Sequence, residues 1–177
     1  MFIRKNKYFF IIESIKDIDL KNIKKQNKFS IIYRNKKKLE NTTDLLNFRR
    51  FCKIKSIKFY VANNTKLAVL LNSDGLYLSA FNKSFRSLLL KKSNFKIIGS
   101  AHNLKEISLK SKQGCDAILF SKLFLVSYDK KASFLGVIRF NNYLKIFKNL
   151  IPLGGISINN LNNLNNVNCQ GFALMSE

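Results

Sequence analysis

The strongest constraint on this chain is an alternation. Short apolar runs recur at 8–12 (YFFII), 29–33 (FSIIY), 57–61 (IKFYV), 76–78, 95–98, 117–120, 150–153 and 172–175. The stretches between them carry helical patterning at 15–25, 43–54, 65–71, 85–90, 104–112 and 139–148, then a polar helix to about residue 167. In 43–54, for instance, Leu45, Leu46, Phe48, Phe51 and Cys52 fall at helical spacing. Continuous apolar strands alternating with helices imply a parallel sheet covered on both faces. Eight such units predict an α/β fold, a compact (β/α)8 TIM barrel. An open doubly wound sheet is the runner-up. Only Ser176 and Glu177 follow the last run, so the eighth helix is expected to be lacking. With one proline, Pro152, and no Gly/Ser tract, residues 1–177 read as a single domain.

Three segments share one form: NSDGLYL (72–78), GCDAILF (114–120) and CQGFALM (169–175). Each is a helix exit, a tight turn and a buried strand, so the repeat speaks for the fold rather than for a function.

Composition narrows the function classes. The net charge is +22, but only six of the 32 basic residues are arginine (Arg4, Arg34, Arg49, Arg50, Arg86 and Arg139). The lysines spread over most expected helices, whereas bidentate phosphate readout prefers arginine. Nucleic acid is therefore set aside as a partner, and small phosphorylated substrates are favoured. No apolar run is long enough to cross a bilayer, and 8–12 lacks the features of a signal peptide, so no membrane association and a cytoplasmic location are expected. Cys52, Cys115 and Cys169 form no metal-binding spacing and read as reduced thiols. A homo-oligomer is compatible with all of this.

Barrel active sites lie past the C-terminal ends of the strands. The polar residues there are Arg34, Asn35 and Lys36 after the second strand, Asn63 and Asn64 after the third, and Ser79 and Asn82 after the fourth. Ser100 and His102 follow the fifth, Ser121, Lys122, Ser127 and Lys130 the sixth, Gly154 and Gly155 the seventh, and Ser176 the eighth. Paired glycines in LGGIS (153–157) let backbone N–H groups approach a phosphate at the place where such barrels bind one. Arg34 and Lys36 lie two apart, so an extended backbone points them the same way toward a second anion. His102, the only histidine, precedes Asn103 and Glu106, which together form a capping-box pattern. The helix N-terminus disfavours an imidazolium, which suits a neutral histidine that exchanges protons. Only ten Asp and Glu residues exist, and a two-carboxylate Mg²⁺ site is not apparent.

These motifs, in order, resemble the thiamine phosphate synthase family, which includes thiazole tautomerases. The resemblance runs from about Phe29 to Ser176. It rests on Arg34-Asn35-Lys36, SDGLYLS (73–79), IIGSAH (97–102), GCDAILFSKLFLVSYDKK (114–131), PLGGI (152–156) and GFALMS (171–176), in the form of a divergent bacterial member. It implies a TIM barrel that joins hydroxymethylpyrimidine pyrophosphate to thiazole phosphate with Mg²⁺, releasing pyrophosphate in thiamine biosynthesis. On that resemblance Arg34, Lys36 and Lys130 would hold pyrophosphate, with Ser100 beside it. Gly154, Gly155 and Ser176 would hold the thiazole phosphate. The family's metal-binding aspartates fall on Asn63 and Asn82, and its glutamine two residues before the arginine falls on Ile32. Amides hold a hard cation less well than carboxylates. The resemblance therefore also admits a metal-independent thiazole tautomerase with His102 as its proton carrier, or a non-catalytic phosphate-binding relic.

Overall fold

In a computed structural model, which describes residues 6–23, 26–36, 40–90, 94–126, 131 and 133–176, eight parallel strands close into a barrel. They are β1 (Lys7–Ile12), β2 (Phe29–Tyr33), β3 (Lys58–Ala62), β4 (Gly75–Leu78), β5 (Lys96–Ala101), β6 (Ala117–Ser121), β7 (Leu150–Leu153) and β8 (Gly171–Met175). Each pairs with its successor, and β8 returns to β1 in a register running from Lys7↔Gly171 to Ile11↔Met175. The closed barrel is the expected fold class, and the runner-up open sheet is excluded.

Strand alternation sorts the core into two layers. Phe9, Ile11, Ile32, Tyr60, Tyr77, Ile98, Leu119, Ile151 and Ala173 fill the barrel interior. Their neighbours in sequence point outward. There Ile31, Phe59, Val61, Leu76, Ile97, Ile118 and Phe120 pack against apolar faces of α1 (Thr42–Ile54), α2 (Thr65–Leu70), α3 (Leu104–Lys112) and α4 (Gly136–Ile146). Phe48 of α1 meets Phe59 edge-on at 5.8 Å between centroids, and Phe120 lies 6.0 Å from Phe140 of α4. Fully burying each such side chain contributes roughly 1.5–3 kcal/mol.

Several expected helices take a tighter form. The helix expected at 15–25 is instead two one-turn 3-10 segments, Ile15–Asp17 and Leu20–Asn22. Ser14 accepts from the backbone of Lys16, and Asp19 from that of Lys21, so each short polar side chain starts a new turn instead of extending the last. Segments Arg86–Leu90 and Ile158–Asn166 are also 3-10. In the latter, Ile158, Leu161 and Leu164 recur every third residue, and Val167 follows in step. That period aligns side chains on a three-residue turn, and the intervening asparagines are weak α-formers. α4 begins at Gly136 rather than Arg139, because the N–H groups of Leu135 and Gly136 are already bonded to the carbonyls of Lys122 and Leu123.

The sequence repeat has a physical basis at the N-terminal end of the barrel. Asp74 accepts from the Phe59 N–H at 2.8 Å and Asp116 from the Ile97 N–H at 2.8 Å, each anchoring the start of the preceding strand. Lys58 and Lys96 pair with these carboxylates from the same strands. In the third copy the Gln170 carbonyl accepts from Asn6 and Lys7 instead. Among the described residues, no helix is long and apolar enough to cross a membrane.

Candidate active site

The interior residues of each strand continue, at a period of two, into the C-terminal mouth. Ile32 leads to Arg34, Ile98 to Ser100 and His102, and Leu119 to Ser121. A cavity of about 390 Å³ opens there. Its lining combines polar and basic residues, Arg34, Lys36, His102, Ser121, Lys122 and Gly154, with apolar ones, Val126, Leu153, Ile156, Ala173, Leu174 and Met175. The volume suits a small molecule, and the mixed lining suits an apolar ring that carries an anionic group.

The β5 and β6 ends meet across this cavity. Ala101 pairs with Phe120, so the next residues, His102 and Ser121, are neighbours. Ser121 Oγ lies 2.7 Å from His102 Nδ1. Asn103 is the N-cap as expected, and its Oδ1 accepts from the Glu106 N–H at 3.0 Å, but the reciprocal half of the capping box is shifted by one residue: Glu106 Oε2 accepts from the His102 N–H at 2.7 Å rather than from the Asn103 N–H. His102 is thus held by its backbone to α3 and by its ring to β6.

The other expected site residues are placed unequally. Lys36 is ion-paired with Glu13, the first residue past β1, which the sequence reading passed over. Its position past the first strand was the available signal. Lys130 lies outside the described residues. Ser100 is buried beside Tyr77. Burial pushes the Tyr77 phenol up, partly offset by the neighbouring Ser100 hydroxyl and by the charge of Arg34 beside it. Arg34 therefore reaches from the cavity toward the top interior layer. Ser176 does not line the cavity, and its hydroxyl donates to Asp17 at 3.1 Å. The same Asp17 oxygen accepts from the backbones of Glu13 and Ser14.

Gly154 lines the cavity and Gly155 supports it from behind. Gly155 has φ of +68°, and a Cβ there would lie 2.4 Å from the carbonyl oxygens of both Phe124 and Leu125. The loop after β6 is also bonded to this turn, with Leu123 N–H donating to Leu153 O and Phe124 N–H to Gly154 O. Only glycine combines that backbone conformation with that approach.

Asn63 and Asn82 face each other. Asn63 Oδ1 accepts from Asn82 Nδ2 at 3.0 Å and from the Ser79 N–H at 3.1 Å. Asn82 Oδ1 accepts from the Ser84 N–H at 2.9 Å. Both side-chain carbonyls already hold amide donors, and among the described residues no group of three His, Cys, Asp or Glu is placed to hold a metal ion. This donor set does not fit Mg²⁺, which requires near-octahedral oxygen ligands, usually with carboxylate charge. The loop that carries Asn82 is pinned from below. Lys110 of α3 is fully buried and donates to the Asn82 carbonyl at 2.7 Å and to Gln113 Oε1 at 2.9 Å. Burial pulls its ammonium pKa down.

A family model described as thiamine monophosphate synthase matches residues 18–177. Curated relatives include the thiamine-phosphate synthase of Prochlorococcus marinus (strain AS9601), 28% identical over 143 residues, which cover 78% of this chain and 40% of that protein. Another is the thiamine-phosphate synthase of Clostridioides difficile (strain 630), 24% identical over 135 residues, which cover 74% of this chain and 63% of that protein. The match thus spans less than two thirds of either relative. Among solved structures, the thiamine phosphate pyrophosphorylase of Pyrococcus furiosus superposes with a TM-score of 0.73 at 17% identity, covering 97% of this chain and 86% of its own. At that identity the likeness speaks to the fold.

Proposed function

The chain belongs to the thiamine monophosphate synthase family, and from that premise we propose that it is a cytoplasmic transferase joining hydroxymethylpyrimidine pyrophosphate to thiazole phosphate, with release of pyrophosphate. The observation that carries this reading is the convergence of Arg34, Lys36 and Lys122 with Gly154 on one cavity at the C-terminal mouth, together with apolar side chains. In such a reaction the bond between the pyrimidine methylene and the pyrophosphate oxygen breaks, and a bond to the thiazole nitrogen forms. Negative charge grows on the departing pyrophosphate. Fixed cations aimed at that charge lower the barrier. Arg34 is held beside Tyr77, and Lys36 is released to an anion when its surface pair with Glu13 opens. The apolar wall of Leu153, Ile156 and Met175 would accept the rings and exclude water from the reacting centre. The turn at Gly154 would receive the thiazole phosphate. Ser176 and Ser100 would support these sites through Asp17 and Tyr77.

Because the amide pair does not fit Mg²⁺, charge neutralisation falls to the three basic side chains. The same observation favours a second reading, a thiazole tautomerase in which His102 moves a proton without a metal. Purified protein given both synthase substrates, with Mg²⁺ or with EDTA, separates the two. Thiamine phosphate formation supports the transferase. Its absence in both arms, with isomerisation of a thiazole carboxylate phosphate that is lost in His102→Ala, supports the tautomerase. Ligand binding without either turnover indicates a binding relic.

A further inference from the structure

The His102–Ser121 contact fixes more than the orientation of a ring. Ser121 is 9% exposed, and among the described residues His102 Nδ1 is the one hydrogen-bond partner of its hydroxyl. A hydroxyl both donates and accepts, whereas a neutral imidazole donates from one nitrogen and accepts at the other. If Nδ1 carried the proton, it would donate to Ser121 Oγ, and the hydrogen of this part-buried hydroxyl would have no protein acceptor among these residues, only water at the cavity edge. If Nδ1 is bare, the serine donates to it and nothing is left unsatisfied. Largely shielded polar groups are usually paired within the protein, so the arrangement that uses both the hydroxyl hydrogen and the bare ring nitrogen is favoured. The second arrangement puts the ring proton on Nε2, the polar atom the imidazole then offers to the cavity beside Arg34, Lys36 and Lys122.

We propose that Ser121 is a positioning residue that locks His102 as its Nε2–H tautomer, making the histidine a hydrogen-bond donor to an anionic oxygen, such as that of a phosphate or diphosphate, rather than a resting base. The tautomer assignment stands apart from the reaction proposed above. The identity of the anion rests on that reading.

Because His102 is the only histidine, its two ring nitrogens give an unambiguous ¹⁵N spectrum. The experiment uses uniformly labelled full-length protein at about pH 8, above the usual imidazole range, with and without inorganic pyrophosphate. Wild type is expected to show Nε2 protonated and Nδ1 bare, by about tenfold or more. Ser121→Ala should move the Nδ1 resonance and weaken pyrophosphate binding by up to about tenfold. Ser121→Thr should restore both. Ser121→Cys, a weaker donor of similar volume, covers the case in which the alanine variant does not fold. A wild-type spectrum with Nδ1 protonated overturns the proposal, as does an unchanged ring spectrum in Ser121→Ala. Pyrophosphate that binds calorimetrically without moving Nε2 refutes the donor role and leaves the transferase reading intact. Pyrophosphate that does not bind at all overturns both the donor role and that reading, and the tautomer arm then stands or falls by itself.

Discussion

Gly155→Ala should be among the most damaging single-methyl changes at the C-terminal mouth, and Gly136→Ala measures why. Both glycines sit in the left-handed region, Gly155 at φ +68° and Gly136 at φ +70°. Each substitution therefore incurs the left-handed cost of an L side chain, about 1–2 kcal/mol. Their surroundings differ. A Cβ on Gly136 meets nothing within 4 Å, whereas one on Gly155 would lie 2.4 Å from two carbonyl oxygens of the loop after β6. Contacts that short involve backbone on both sides, so the loop or the β7 turn must move. Overpacking of this kind costs a further 1–3 kcal/mol or so. Urea denaturation should thus place Gly155→Ala roughly 1–3 kcal/mol below Gly136→Ala at equal m-values, a Tm difference of roughly 2–10 °C for a chain of this length. Calorimetric binding of inorganic pyrophosphate should weaken only in Gly155→Ala, because the loop it displaces carries Lys122. Equal destabilisation of the two variants would show that the 2.4 Å contacts do not constrain the loop, and would refute the reasoning.

Three further outcomes follow from particular contacts. Glu13→Gln removes the counter-charge from Lys36; stability should change by less than about 1 kcal/mol, because both side chains are partly exposed, while pyrophosphate affinity, measured calorimetrically, should rise. An unchanged affinity would mean that Lys36 does not reach the anion. Asp116→Ala strips the Ile97 N–H of its acceptor as well as the Lys96 pair, and should lower urea stability by about 1–3 kcal/mol; a loss below 0.5 kcal/mol or so, the ordinary scatter of surface substitutions, would count against the anchoring role of the repeat. Burial pushes the Cys52 thiol up to about 12 and the Tyr33 phenol up to about 12, the latter helped by Glu40, and raises Tyr60 as well. In the unfolded chain these groups ionise near pH 9–10, while the folded chain keeps its protons. The stability they contribute is fully present below those values and is lost as pH rises toward 12. Urea midpoints measured from pH 8 to 11 should fall, with a shallower fall in Cys52→Val, and a flat profile would refute this.

The sequence was most informative where structure is local. Apolar runs of three to five residues located all eight strands to within a few residues, and their number and spacing implied the barrel. The period of two carried Arg34, Ser100 and His102 into the mouth, and Asn103 with Glu106 announced the start of α3. Sequence also showed amides where the resemblance calls for carboxylates. Helix type was less legible, because the difference between an α-turn and a 3-10 turn in 15–25 or at Ile158–Asn166 depends on capping side chains and on a three-residue apolar period. What only the tertiary structure decided is which polar groups are already engaged. The pairing of Asn63 with Asn82, Lys36 with Glu13, Ser176 with Asp17 and Ser121 with His102 joins residues that are 19, 23, 159 and 19 positions apart. Such contacts follow from strand register and barrel closure, which bring strand ends together from across the chain. A residue type states which hydrogen bonds it can make, but the neighbours that closure supplies determine which of them remain available to a substrate.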